Sequence, residues 1–143
     1  MENVPAAPAP VVYGYVPTGR LVKDVQVGGD TSRVRRFTFG CPAGNREFHV
    51  VGPALHATYA EPAVTSSPVP TPVRQVKGGA LKSTAGKPPR SFAEACRLQG
   101  LPDGFDLPGF TMTAKHQAVG NGVPLAMGRA VARAVKEAMQ EQP

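Results

Sequence analysis

The chain has 143 residues, a formal net charge of +6, 41% hydrophobic residues, no Trp, and 16 each of Pro and Gly. That length favours one domain. The apolar share suffices for a core, and the Gly and Pro content, about twice the usual share, argues for much loop and few long elements. The positive balance favours an anionic partner such as nucleic acid, while 6% aromatics supply a stacking platform for single strands poorly. Cys41 and Cys96 lack CxxC spacing and His49, His56 and His116 are scattered. Neither a disulfide framework nor a metal site is therefore expected. No apolar run approaches the roughly 18 residues that span a bilayer. The N-terminus lacks a basic stretch followed by an apolar one. The expectation is a cytoplasmic protein with no membrane partner.

In chain order, prolines 5, 8, 10 and 17 forbid a long helix at the start. "VVYGYV", Val11 to Val16, reads as a short strand broken by Gly14. "RLVKDVQV", Arg20 to Val27, alternates imperfectly and reads as a strand ended by the turn "GGD". "RVRRFTFG", Arg33 to Gly40, is a second strand, with Arg35, Phe37 and Phe39 on one face and Val34, Arg36 and Thr38 on the other. "REFHVVG", Arg46 to Gly52, is a third. From Pro62 to Arg90 the chain has six prolines, five Lys or Arg and no acidic residue, the composition of a basic linker.

"RSFAEACRLQG" opens the first clear helix. Ser91 is a good N-cap, Glu94 completes the S-x-x-E capping box, and Gly100 suits the C-terminal cap. The last helix is predicted to start near Pro124, where a missing N–H costs nothing. Its buried stripe is Leu125, Met127, Ala130, Val131, Ala134, Val135 and Ala138, with Arg129, Arg133, Lys136 and Glu137 outward.

Separated segments, in order, resemble the second half of a cytosine-5 DNA methyltransferase. "RSFAEACRLQGLPDGF", Arg90 to Phe105, is similar to that family's Arg followed by Glu-Ala-x-Arg-Leu-Gln-Gly-Phe-Pro-Asp, with Leu101 in place of Phe. "QAVGNGVP", Gln117 to Pro124, resembles Gln-Ile-Gly-Asn-Ala-Val-Pro. "ENV", Glu2 to Val4, resembles the Glu-Asn-Val motif. "TSRVRRFTFG", Thr31 to Gly40, resembles Gln-x-Arg-x-Arg before a hydrophobic strand, with Thr31 where Gln is expected. "EPAVTSS", Glu61 to Ser67, looks like the Pro-x-Val-Thr strand that precedes the Leu-Gln-Gly helix.

The resemblance implies an α/β protein: the C-terminal part of a Rossmann-like methyltransferase fold, with a few short strands, a long Pro-rich basic loop and two C-terminal helices. Residues 1–60 would be a remnant of the catalytic sheet. Residues 61–90 would be a connecting segment with a minimal target-recognition region, and 91–143 a helical segment completing the catalytic domain. The implied partner is DNA, the cofactor S-adenosylmethionine, and the biological setting DNA methylation of the restriction-modification type. Glu2 would hold ring N3 and the exocyclic amine of a flipped cytosine, and Arg35 its O2, with Arg33 in support. These roles suit a base read on its Watson–Crick edge and a charge that develops on the ring. Asn121 and Val123 would help wall the cofactor pocket. Arg97, Gln99, Gly100, Gly120 and Pro124 would be the scaffold of the two motifs.

The chain departs from the family pattern in ways that limit it. It has no Phe-x-Gly-x-Gly cofactor loop and no Pro-Cys nucleophile; "GCPAG" carries Cys41 before Pro42. Only 20 residues lie between Gly40 and Glu61, little room for a surface that enters a groove. The expectation is an inactive isolated chain that needs a complementary chain carrying the first half. An incomplete sheet is expected to leave an unpaired edge and an exposed apolar face. The alternative expectation is a non-catalytic basic nucleic-acid-binding protein or a degenerate methyltransferase remnant.

Overall fold

The computed structural model describes residues 1–41, 49–50, 52, 60–67 and 89–140. Three strands form an antiparallel sheet of order β1-β3-β2: β1 (Glu2–Asn3), β2 (Val16–Lys23) and β3 (Val34–Cys41). Three helices follow: α1 (Phe92–Leu98), α2 (Met112–Asn121) and α3 (Leu125–Gln140). The architecture is mixed, with helices and a small antiparallel sheet. The one parallel contact among the described residues is a bridge from Thr31 to Glu61.

Register decides which side of the sheet is buried. Arg20 pairs with Phe37 and Val22 with Arg35, so Val22, Phe37 and Phe39 share a face, because strand side chains alternate. α3 packs on that face. Its Met127, Ala130 and Ala134 form one core cluster with Val22, Val27 and Phe37, flanked by Phe39, Val131 and Val135. Alanine at the expected positions lets the helix approach closely, and Met127, with no exposed surface, contributes the largest single burial, about 1.5–3 kcal/mol. The opposite face lacks such a cover among the described residues. Tyr15 lies over Gly40, and Leu21 is 57% exposed.

Two predicted strands differ. Val11 to Tyr15 lie outside the sheet, with a turn at Tyr13–Gly14 (φ 80°), and β2 begins only at Val16. The strand expected to run to Val27 ends at Lys23, and Asp24–Val27 wind into a 3₁₀ turn closed by Gly28 at φ 92°. Asp24 causes the break. Its fully buried carboxylate accepts from the Thr31 backbone N–H (3.0 Å) and hydroxyl (2.7 Å), folding the chain back instead of extending it. Of the strand predicted over 46–52, residues 46–48 and 51 lie outside the described residues, and His49, Val50 and Gly52 carry no strand. Most of the basic linker, 68–88, also lies outside them.

The helices follow their caps. Ser91 accepts from the Glu94 N–H at 3.1 Å. At the other end of α1, Gly100 (φ 75°) donates to Arg97 and Leu101 to Cys96, the paired bonds of a Schellman cap. α2 is not among the elements expected from the sequence. Thr111 caps it, accepting from Ala114 at 3.3 Å. Its residues run through Gly120 and Asn121, so those two close a helix, and the turn proper is Gly122–Pro124. A second core cluster joins Val64, Ala95, Cys96, Leu98 and Val119.

Candidate functional site

The site is built where β1, the start of β3 and the segment 61–66 meet. Glu2 pairs across the sheet with Phe37, which places Glu2 and Arg35 on one face, diagonal neighbours. Their side chains meet: Arg35 Nε lies 2.7 Å from Glu2 Oε1, both partly exposed. Arg35 Nη1 also donates to the Val34 carbonyl at 3.1 Å. The result is a carboxylate and a guanidinium, oriented by each other and still open to solvent. Such a pair can present a donor and an acceptor side by side to a planar polar ligand.

Arg33 is different. It is 3% exposed, and its Nη1 donates to the carbonyls of Val64 and of Gly120, the latter at 2.9 Å. Its Nε and Nη2 are buried with no partner among the described residues. Burial, and then the neighbouring Arg35, push its pKa down to about 10; Glu2 and Asp24 oppose that shift. It remains charged at neutral pH, a buried cation that feels the charges of both Glu2 and Arg35.

The segment 61–66 is held by side chains more than by a ladder. Ser32 N–H donates to the Glu61 carbonyl at 2.8 Å and Glu61 N–H to Asp30 at 2.9 Å. Beyond that, buried Arg90 donates to the carbonyls of Pro62 (2.9 Å) and Ala63 (3.2 Å), and Arg33 takes Val64. Guanidiniums thus satisfy carbonyls that a neighbouring strand would otherwise serve. Thr65 then runs against α2 so closely that a Cβ on Gly120 would sit 2.0 Å from its oxygen. Only glycine fits there.

The two motifs lie against each other. Gln99, buried, donates from Nε2 to the carbonyls of Val119 (2.6 Å) and Gly122 (3.3 Å), and its own carbonyl accepts from Leu125 N–H at 2.9 Å. One side chain and one carbonyl therefore fix the end of α2, the turn and the start of α3. Pro124 is fully buried at that junction, whereas Asn121 is exposed and Val123 is 37% exposed. Asn121 and Val123 form an outward-facing wall, not an enclosed pocket. Arg97 faces outward, 3.5 Å from Asp30. No cluster of potential metal ligands occurs among the described residues, and no helix among them is long and apolar enough to cross a membrane.

The structure thus brings Glu2, Arg35 and Arg33 together, and joins Arg33 to the Gly120 turn. Sequence reasoning missed the clamping role of Arg90 and the fold-back by Asp24. An acidic residue interrupting the alternation of "RLVKDVQV" was the available signal for Asp24. Cys96 is buried in α1, and burial, followed by Asp106, pushes its thiol pKa up. That is opposite to what a nucleophile needs. The chain matches no protein-family model and no curated protein.

Proposed function

We propose that this chain is the C-terminal part of a DNA (cytosine-5)-methyltransferase, active only with a complementary chain that carries the nucleophile and the glycine-rich cofactor loop. The observation that carries this reading is the 2.7 Å pair of Glu2 and Arg35, backed by buried Arg33. These residues come from two motifs about 30 positions apart in sequence, and they meet on one sheet face. Further support comes from the contact of the Leu-Gln-Gly and Gly-Asn-x-Val-Pro segments through Gln99.

In this reading a flipped cytosine lies against the pair. Glu2 holds ring N3 and the exocyclic amine. Arg35 donates to O2, and Arg33 steadies the charge that builds on the ring when C6 is attacked. Such preorganised donors are worth most where water is excluded, which the partly exposed pair achieves only once a second chain covers it. The cofactor, S-adenosylmethionine, supplies the methyl group when bound, and Asn121 and Val123 would form one wall of its pocket. The remaining walls belong to segments this sequence does not contain. A Rossmann-like parallel sheet belongs to the complete assembly: the antiparallel strands of this chain would be one end of it. The pair lies on the same face of the sheet as Phe37, opposite Leu21, and its exposed part there is the surface a second chain would cover.

The test is reconstitution. The chain is mixed with a fragment carrying the Pro-Cys loop and the cofactor loop, and labelled methyl transfer to DNA is measured. Transfer that requires both chains, and that is lost with Glu2→Ala, supports the reading. Absence of transfer with a demonstrably folded complementary fragment contradicts it.

A further inference from the structure

The described cations differ in how they are neutralised. Arg35, Arg90, Arg97 and Lys115 each have a carboxylate within 4.0 Å. Arg129, Arg133 and Lys136, the basic residues of α3, are all exposed, and among the described residues none of them has an ion-pair partner. Glu137 is the one acidic residue of α3, and it pairs with no described cation. Helical geometry lines these cations up. At about 100° and 1.5 Å per residue they fall within about 60° of arc and span about 10 Å of axis. Met127, Ala130, Ala134 and Ala138 take the opposite side and are buried. α3 packs on the sheet face that also carries Glu2 and Arg35, so the basic row points away from the sheet on that side. Like charges four residues apart disfavour a helix, and nothing described offsets them here.

What else the surface holds narrows the partner. An anionic membrane would need the apolar side of α3, and that side is buried in the core. A single strand would need aromatic rings to stack on, and α3 has none. A duplex asks only for cations in a row, since it presents one phosphate charge per about 1.7 Å of its axis. We infer that the outer face of α3 is a docking surface for the phosphate backbone of duplex DNA, with Arg129, Arg133 and Lys136 each taking a phosphate and none reading a base. The inference is independent of the methyl-transfer reading: it concerns the free chain, a different set of residues and no chemistry.

The test is the salt dependence of binding between the full chain and a labelled DNA duplex of arbitrary sequence, read by fluorescence anisotropy. Each phosphate contact contributes about 0.9 to the slope of log affinity against log salt concentration. The triple variant Arg129→Gln, Arg133→Gln, Lys136→Gln is therefore expected to flatten that slope by about 2.7. Glutamine is a good helix former and the positions are exposed, so far-UV circular dichroism should match that of the unaltered chain. Lys23→Gln is the control for net charge. Lys23 is an exposed cation whose neighbour Val22 faces α3, so its own side chain lies on the other face of the sheet, and its loss should leave the slope unchanged. Arg133→Lys, which keeps the charge, should keep the slope. No binding at low salt, an unchanged slope in the triple variant, or as large a change from Lys23→Gln as from Arg133→Gln overturns the inference. So does tighter binding of oligo(dT) than of the duplex, or competition by anionic vesicles that depends on the same residues. A flattened slope together with no methyl transfer on reconstitution would sustain the docking surface and sink the enzyme reading alone.

Discussion

Gly120→Ala probes the junction on which the site depends. In a helix this exchange ordinarily gains up to about 1 kcal/mol, since alanine loses less backbone entropy. Here the added Cβ would lie 2.0 Å from the Thr65 oxygen, 2.2 Å from its carbon and 2.6 Å from Ser66 N. The obstructing atoms are backbone, so segment 62–66 must retreat. Retreat draws the Val64 carbonyl and the Gly120 carbonyl apart, and Arg33 Nη1 bridges those two. Each bond from a charged donor is worth about 1.5–3 kcal/mol, and its loss strands a cation whose Nε and Nη2 already lack partners among the described residues. Losing both and subtracting the helix gain leaves a net destabilisation of about 2–5 kcal/mol, a large part of a typical total of about 5–15 kcal/mol. The assay is urea unfolding of the full chain followed by far-UV circular dichroism. Gly128→Ala is the matched control. Gly128 lies inside α3 with nothing within 4 Å of a new Cβ, and that variant is expected to gain about 0.5–1 kcal/mol. If Gly120→Ala proves as stable as Gly128→Ala, the close contact and the Arg33 clamp are wrong.

Other consequences follow from particular contacts. Met127→Ala, at a site with no exposed surface in the α3–sheet cluster, should cost about 2–5 kcal/mol in the same unfolding assay. Arg35→Ala breaks a partly exposed ion pair, so it should change stability by no more than about 1 kcal/mol yet abolish methyl transfer in the reconstituted enzyme; retained transfer sinks its assigned role. Cys96→Ala should leave that transfer unchanged, because a buried thiol with a raised pKa is no nucleophile. The hydrogen bond from Lys115 holds the Asp106 carboxyl below the usual carboxylate range. Because the folded pKa is depressed, this contact helps stability above the unfolded value of about 4 and is lost as pH falls through the folded value. An NMR titration should show the Asp106 midpoint rise in Lys115→Met.

What was legible in the sequence was what local physics determines. Ser91, Glu94 and Gly100 bracketed α1 because caps are satisfied within a turn, and the stripe from Met127 to Ala138 fixed the buried face of α3 because its period is helical. The alternation of Phe37 and Phe39 likewise gave β3 its inner face. α2 was hidden because Gly120, Asn121 and Gly122 look like a loop; a glycine is tolerated there because Thr65 leaves no room for a Cβ. The early end of β2 was hidden because the reason, Asp24 turning in to Thr31, is a contact between positions seven apart. At the site, Glu2, Arg33 and Arg35 were named from resemblance. Their meeting rests on the antiparallel register of β1 with β3, which no spacing in the chain reveals. Arg90 stood in plain view as a helix-flanking arginine, and only the carbonyls of 62–63 show why it is buried.

The central claim is that Glu2 and Arg35 form a base-holding pair completed by a second chain. The most direct measurement is labelled methyl transfer to cytosine in DNA by the reconstituted pair of chains, comparing the unaltered chain with Glu2→Ala and Glu2→Gln. The account predicts transfer only when both chains are present, its loss with Glu2→Ala, and partial return with Glu2→Gln, which keeps a donor for N3. Full activity of the Glu2→Ala variant in a folded complex would contradict it.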